Sequence, residues 1–381
     1  MSKFSAIITK IKDLYGPNRE FIPLHEPLFI GNEKKYLNDC IDSTFVSSVG
    51  AYVNEFEKKM IELTGAKYAI AVVNGTAALH LSLIVAGVKK DDLVVTQSLS
   101  FVATTNAIQY TNATPYFIDI DKKTLGLSVE ALSNFLSNVE MENGEAIHTP
   151  TGRRVGAVVP MHTFGFPVEI DKIISLLAPY NIPVIEDAAE SLGSKYKNQH
   201  TGTFGLLGTF SFNGNKTITC GGGGVIVTND EKIAQLTKHL STQAKVPHKW
   251  EYQHDMVGYN YRCPNLNAAL ACAQLEQLEG FVENKRKTSE EYATFFKDRS
   301  ETYIEEPKDC YSNYWLNAIL LENVTDRNTF LEETNNNGVM TRPVWTLLHR
   351  LEHLSDAPHD NLENSIFIEN HLVNIPSSVR L

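Results

Sequence analysis

The chain alternates between short apolar runs of strand length and longer amphipathic stretches of helical length. The apolar runs lie at residues 67–73, 93–96, 114–119, 155–161 and 183–185. Stretches with apolar positions at helical spacing lie at residues 51–64, 75–86, 169–180 and 230–241. Strands and helices that alternate in this way predict an α/β protein, with a largely parallel sheet and helices on both of its faces.

Three further regions complete the predicted organisation. Residues 1–20 predict a short amphipathic lead-in helix, and the polar, turn-rich stretch 138–154 predicts an exposed excursion. A long helix is predicted from about Asn265, and strands near 314–321 and 338–342 predict a smaller α+β unit. We therefore expect an N-terminal lead-in (1–20), a large domain (21–250) and a small C-terminal domain (251–381).

The segment at residues 207–228, LGTFSFNGNKTITCGGGGVIVT, holds a single lysine between two predicted strands. Ser211 precedes Lys216 by one short turn, and the glycines at 221–224 follow it. A lysine held in such a tight, glycine-walled segment can lose solvation and act as a nucleophile toward a carbonyl. The alternative is a surface lysine before a glycine-rich hairpin, and this segment by itself does not decide between the two.

Residues with useful chemistry recur where predicted strands end. Those at or just beyond a strand end are Asn74, Phe101, His162, Asp187 and Lys216. In open α/β sheets the ligand binds at the carboxyl ends of the strands, so these residues are expected to converge on one site. Gly75 and Thr76 begin a helix whose free N–H groups favour an anion, and a plain N-cap is the simpler alternative. For His162 a ligand contact and a structural role are equally open.

Composition narrows the classes of partner. The chain has 381 residues, of which 43% are hydrophobic and 21% charged, as in ordinary globular proteins. Its formal net charge of -11 argues against nucleic acid or an anionic membrane surface, but not against a small anionic ligand. The 5 cysteines are widely spaced without a CxxC pair, so we expect reduced thiols and no metal site. The pattern predicts neither a signal peptide nor a membrane span, and we expect a cytoplasmic protein.

Several motifs in combination resemble the DegT/DnrJ-type nucleotide-sugar aminotransferases. The motifs are SSVGAYVNEFE, NGTAALHLSL, SFVATTNAI, IEDAAESLGS, FSFNGNK, GGGGVIVT, VGYNYRCPNLNAAL and TRPVW. The resemblance spans about residues 21–380. It implies the type I aminotransferase fold, in which a large domain on a mostly parallel sheet is followed by a smaller C-terminal α+β domain. It also implies pyridoxal 5'-phosphate (PLP) as the cofactor.

For the reacting end of the cofactor, the resemblance implies a role for each matching residue. Lys216 would bind PLP covalently and later move protons, and Asp187 would pair with the pyridine nitrogen, which keeps the ring able to accept electrons. Phe101 would stack on the face of the ring. Glu190 would lie near the phenolic oxygen.

For the phosphate end, the resemblance implies a grip made of Gly75, Thr76 and Ser211. Asn260 would reach the same phosphate from the partner subunit, with Arg262 as an alternative donor. The resemblance therefore also implies a homodimer.

The segments FNGNKTITCGGGG and STQAKVPHKWEYQHDMVGYNYR resemble enzymes that aminate carbon 4 of a UDP-linked 4-keto-6-deoxy-N-acetylhexosamine. The implied reaction transfers an amino group, with glutamate as the expected amino donor, to UDP-4-keto-6-deoxy-N-acetylglucosamine for surface glycan biosynthesis. The alternatives are a dTDP- or GDP-linked keto sugar, or a non-catalytic regulatory protein that binds PLP or a nucleotide sugar. Candidates for substrate contacts are Ser48, His162, Asn213, Arg342, Trp345 and His349.

Overall fold

The computed structural model describes residues 3–381. Its α-helices are α1 (Ser5–Tyr15), α2 (Glu33–Asp42), α3 (Ala51–Thr64), α4 (Gly75–Val85), α5 (Val102–Tyr110), α6 (Val129–Leu136), α7 (Ile170–Leu177), α8 (Glu231–Ser241), α9 (Asn265–Leu275), α10 (Leu278–Phe296), α11 (Val324–Asn336) and α12 (Glu363–His371). Short 3-10 turns lie at Thr163–Gly165, Ala178–Tyr180, Leu348–Arg350 and Glu352–Leu354. No helix within the described residues is long and apolar enough to cross a membrane.

The strands carry most of the residues that the hydrophobic pattern assigned to strands. They are β1 (Tyr68–Val72), β2 (Leu93–Gln97), β3 (Thr114–Ile118), β4 (Val139–Glu142), β5 (Glu145–His148), β6 (Arg153–Val159), β7 (Ile185–Asp187), β8 (Lys195–Tyr196), β9 (Gln199–His200), β10 (Leu207–Ser211), β11 (Gly224–Thr228), β12 (Lys245–Val246), β13 (Gln253–His254), β14 (Thr302–Tyr303), β15 (Cys310–Tyr311), β16 (Asn317–Leu320), β17 (Arg342–Pro343) and β18 (Leu372–Ile375).

Two sheets join through β6 and β7 and position the site. The first has the strand order β1-β11-β10-β7, and the second has the order β3-β2-β6-β5-β4. Parallel bridges from Val158 to Val184 and from Met161 to Asp187 connect the two. In the combined sheet β1, β10, β7, β6, β2 and β3 run in one direction, and β11 runs against its neighbours. The predicted mostly parallel sheet is confirmed, and the carboxyl ends of its strands meet at one edge.

The stretch 138–154 is largely exposed, as its polarity predicts, but it forms regular strands where a turn-rich excursion was expected. It folds into the hairpin β4–β5, and β5 pairs with the first two residues of β6, Arg153 and Arg154. Val139 and Ala146 are buried, whereas Glu140 and Glu142 are exposed. Few side chains of the hairpin pack on the core. The stretch therefore contains two strands in spite of its polar composition.

The predicted lead-in helix is α1, and Met1 and Ser2 of that prediction lie outside the described residues. Ile7 and Ile11 of this helix are buried in one cluster with Tyr292, Phe330 and residues of the antiparallel sheet β14-β16-β18-β17. The lead-in thus packs on C-terminal elements. Helix α9 packs instead against α3 and α2. The domain division at residue 250 stays a prediction.

Candidate active site

The carboxyl edge of the combined sheet borders a cavity of about 290 Å³. The cavity is lined by Asn74, Gly75, Thr76, Leu79, Phe101, Ala103, Met161, Asp187, Ala189, Glu190, Ser211, Asn213, Asn215, Lys216, Gly222, Gly223, Trp315 and Trp345. All the cofactor residues predicted above are in this lining except Asn260. Most of these residues follow β1, β2, β6, β7 or β10, and they converge because those strands end at the same edge of the sheet.

The start of α4 forms one end of the cavity. The side chain of Asn74 accepts a hydrogen bond of 2.8 Å from the N–H of Ala77, so Asn74 is a true N-cap, and the first N–H groups of the helix remain at its open end. A Cβ atom on Gly75 would lie 2.9 Å from Cβ of Ser211 and 3.1 Å from its Oγ. Glycine at 75 is thus what allows the Ser211 hydroxyl to approach the helix start. N–H groups, the helix dipole and this hydroxyl form a site suited to a phosphate.

Lys216 lies in the turn between β10 and β11, and its backbone N–H donates to the carbonyl of Asn213 at 3.0 Å. Its Nζ lies 3.2 Å from Oε1 of Glu190 and 4.2 Å from the centroid of the Trp315 ring. The Lys216 side chain is only 12% exposed. The surface-lysine alternative is therefore excluded, and the amine is held at the wall of the cavity.

Glu190 is the carboxyl group that contacts this amine. Its Oε2 accepts a hydrogen bond of 2.9 Å from the N–H of Phe164, and its side chain is 1% exposed. Burial raises the pKa of the Glu190 carboxyl to about 7, although the nearby Lys216 ammonium lowers it. Glu190 can therefore hold or release a proton near neutral pH, directly beside the amine.

Asp187 is buried at the end of β7. Its Oδ2 accepts a hydrogen bond of 2.8 Å from the Thr104 hydroxyl, and its Oδ1 accepts one of 3.2 Å from the N–H of Ala189. Burial raises the pKa of the Asp187 carboxyl in spite of these hydrogen bonds. A cation next to this buried carboxyl group would stabilise its ionised form, and a protonated pyridine nitrogen is such a cation.

These features match the polar groups of PLP. The α4 start with Ser211 suits the phosphate, Asp187 suits the ring nitrogen, and Lys216 suits the aldehyde carbon. Phe101 is 48% exposed, and its ring centroid lies 6.2 Å from that of Trp345 with an angle of 59° between the ring planes, so the two aromatic rings line an apolar side of the cavity. The residues present therefore fit PLP.

His162 does not line the cavity. Its Nε2 lies 3.0 Å from Oε2 of Glu186, and its Nδ1 accepts a hydrogen bond of 3.2 Å from the N–H of Val168. The side chain is fully buried, and both ring nitrogens have partners within the core. This geometry supports the structural alternative for His162, and the predicted substrate contact is corrected accordingly.

Ser48 and Asn260 also lie outside this cavity. The carbonyl of Ser48 accepts a hydrogen bond of 3.1 Å from Arg262. Ser48 and Arg262 line a second, smaller cavity. Asn260 is exposed, on a segment bridged to Thr242. On its own chain, Asn260 is not part of the site around Lys216.

Of the remaining substrate candidates, Asn213 and Trp345 line the cavity, whereas Arg342 and His349 do not. The exposed Arg342 donates to the side chain of Asn335 at 3.2 Å. His349 Nδ1 lies 2.8 Å from the Ser98 hydroxyl, and burial lowers the pKa of its imidazole. The side chains of Arg342 and His349 thus have hydrogen-bond partners outside the cavity.

Three residues of the site were not expected from the sequence: Trp315, Asn215 and Thr104. Thr104 lies three residues after Phe101, which is one helical turn, so helical spacing could have placed both on one face. Asn215 directly precedes Lys216 and belongs to the same turn. Trp315 comes from the C-terminal part of the chain, and no local pattern signals its contact with Lys216.

Similarity to known proteins identifies the family of this chain. A GDP-perosamine synthase from Escherichia coli O157:H7 is 38% identical over 337 residues, which cover 88% of this chain and 88% of the relative. A GDP-perosamine synthase from Vibrio cholerae is 36% identical over 364 residues, which cover 93% and 94%. The crystal structure of a DegT DnrJ EryC1 StrS aminotransferase from Brucella abortus matches with a TM-score of 0.83 at 24% identity, over 91% of this chain and 90% of that one. Residues 29–381 match the DegT/DnrJ/EryC1/StrS aminotransferase family. The chain belongs to this family and is a PLP-dependent nucleotide-sugar aminotransferase.

Proposed function

We propose that the protein transfers an amino group from glutamate to carbon 4 of a GDP-linked 4-keto-6-deoxy sugar, with GDP-4-keto-6-deoxymannose as its substrate. The observation that carries this proposal is the single cavity in which the Lys216 amine, the Asp187 carboxyl and the α4 start lie together. Bound PLP would supply the carbonyl that receives the amino group and the ring that accepts electrons. Lys216 would hold the cofactor covalently, and Lys216 with Glu190 would move protons beside it.

The choice of sugar rests on the relatives. Perosamine is a 4-amino-4,6-dideoxymannose, so replacing its amino group by a keto oxygen gives 4-keto-6-deoxymannose. Two relatives named GDP-perosamine synthase, at 38% and 36% identity, support this substrate. The GDP-linked sugar therefore replaces the UDP-linked sugar that the motifs had favoured as the first candidate.

UDP-4-keto-6-deoxy-N-acetylglucosamine remains a second candidate because of residues in the cavity. Asn213 belongs to the FNGNK motif that resembles the UDP-sugar enzymes, and it lines the cavity together with Asn215. Two side-chain amides at the mouth of the site could pair with an N-acetyl group.

We further propose a homodimer, since the site lacks positive charge. Among the described residues that line the cavity, Lys216 is the only cationic side chain, whereas the cofactor phosphate, the nucleotide diphosphate and glutamate are all anionic. The segment 245–262 carries five cationic or imidazole side chains, against the two carboxylates of Glu251 and Asp255: Lys245, His248, Lys249, His254 and Arg262. In the same segment Trp250 is 73% and Tyr252 is 82% exposed. A second copy that covers the cavity with this segment and with Asn260 would bury the aromatic side chains and supply the missing charge.

A panel of nucleotide sugars tests the proposed function. The PLP-loaded protein is incubated with glutamate and the 4-keto-6-deoxy sugars linked to GDP, UDP or dTDP, and the products are identified by mass spectrometry. We expect amination of GDP-4-keto-6-deoxymannose at the highest kcat/KM, and none with Lys216→Ala. A higher kcat/KM for the UDP-linked sugar would establish the second candidate, and amination of no sugar would refute both.

A further inference from the structure

The Lys216 amine contacts an aromatic ring that comes from a distant part of the chain. Trp315 is 4% exposed, and its ring centroid lies 4.2 Å from Nζ of Lys216. A lysine stem has four rotatable carbons, so an unsupported amine would sample many positions. An ammonium over an indole face is attracted by the ring, most strongly where water is excluded.

Trp315 is held by one hydrogen bond from its indole and two at its backbone. Its Nε1–H donates to the carbonyl of Asn215 at 2.6 Å, next to the lysine that the ring covers. The backbone N–H of Trp315 donates to Oδ1 of Asn313 at 2.8 Å. Its carbonyl accepts a hydrogen bond of 3.2 Å from Nζ of Lys285, which is fully buried. Both the indole and its backbone are therefore held in place.

Asn313 ties this support to the other neighbours of the amine. Its Nδ2 donates to the carbonyl of Glu190 at 2.9 Å and to the hydroxyl of Thr217 at 3.1 Å. Glu190 contacts the Lys216 amine, and Thr217 follows Lys216 in the chain. One buried amide thus links the carboxyl partner of the amine, the turn that carries the lysine and the tryptophan.

We propose that Trp315 is the positioning residue of the Lys216 amine, holding it beside Glu190 and at the cavity wall, with Asn313 as the anchor of the ring. This inference rests on the proposed covalent role of Lys216. Without the π face of Trp315, the amine would be mobile and solvated, and its encounter with the PLP aldehyde would become less frequent.

The test measures covalent capture of PLP by full-length, PLP-free protein. Capture is followed by stopped-flow absorbance, and the bound group is then locked with borohydride and mapped by peptide mass spectrometry. Trp315→Met keeps an apolar side chain without a π face, and we expect capture at Lys216 to slow about tenfold or more. Trp315→Phe retains a π face, and we expect it to stay within about threefold of wild type. If the Met variant does not fold, Trp315→Leu takes its place.

Phe166→Leu is the matched control, because Phe166 is a fully buried aromatic residue of the same cluster that does not line the cavity. We expect wild-type capture rates in this variant, and thermal unfolding is recorded for all variants to detect general loosening. Wild-type rates in folded Trp315→Met, or an equal loss in Phe166→Leu, would overturn the positioning role. If the wild-type protein instead captures PLP at a lysine other than Lys216, the proposed function is refuted. Failure of the positioning role and failure of the proposed function are therefore distinguishable.

Discussion

Asp187→Asn separates a structural role of this carboxyl from its role toward the cofactor. Both carboxylate oxygens accept hydrogen bonds, one from the Thr104 hydroxyl and one from the N–H of Ala189. An asparagine can keep its oxygen toward Ala189 and direct its NH₂ toward Thr104, because a hydroxyl can accept as well as donate. The substitution therefore leaves the local hydrogen bonding intact, and we expect the variant to fold.

Asp187→Asn should stabilise the PLP-free protein but slow amino transfer in the PLP-loaded protein. Burial raises the pKa of Asp187, so in the PLP-free protein the ionised carboxylate costs stability. Asp187→Asn should raise the free energy of unfolding at neutral pH by roughly 1–3 kcal/mol. The native carboxyl holds its proton more tightly than the unfolded chain, so this gain should shrink as pH falls toward the ordinary range of aspartate.

In the PLP-loaded protein the same substitution removes the anion that stabilises a protonated pyridine nitrogen. We expect amino transfer to the 4-keto sugar to fall on the order of 10²-fold or more, about 2.7 kcal/mol in the barrier. The assay is one amino transfer under single-turnover conditions, expressed per PLP-loaded site, with chemical denaturation of the PLP-free protein alongside. A loss below about threefold at full PLP occupancy would refute the pairing of Asp187 with the ring nitrogen.

Three further predictions follow from the site. Gly75→Ala would place Cβ 2.9 Å from Cβ of Ser211, so we expect about tenfold weaker PLP binding by fluorescence titration, while Gly280→Ala, with nothing within 4 Å, should bind normally; equal affinity for both would contradict the phosphate site. Burial raises the Glu190 pKa from 4.5 to about 7, so the stability of the PLP-free protein should fall as pH rises across that range, and Glu190→Gln should lose this part of the pH dependence; an identical slope in both proteins would count against it. Sedimentation should find a dimer at assay concentration, and a fully active monomer would remove Asn260 from the site.

The sequence predicted the parts of the site that depend on local order. Asp187 and Ser211 end strands, and Lys216 follows in the adjoining turn, so the strand pattern alone brings them to one edge. His162 was misjudged for a related reason. Neighbouring residues of an extended segment face opposite sides, and Met161 lines the cavity while His162 points into the core.

Contacts between distant segments were not predictable in this way. Trp315 reaches Lys216 only because the C-terminal part folds back over the turn, and its hydrogen bond to Asn215 has no counterpart in periodicity or composition. The hairpin β4–β5 was missed because a largely exposed hairpin needs few apolar residues. Tertiary packing decided both cases, and local pattern carries little information about it.

Mapping of the covalent cofactor is the most direct test of the site. The active protein is reduced with borohydride in the presence of PLP, digested, and analysed by peptide mass spectrometry, with Lys216→Ala as the control. We expect the reduced PLP group on the peptide that contains Lys216, and neither covalent PLP nor turnover in Lys216→Ala. A label on another lysine of the wild-type protein, or turnover by Lys216→Ala near the wild-type rate, would contradict the assignment of Lys216 as the residue that carries the cofactor.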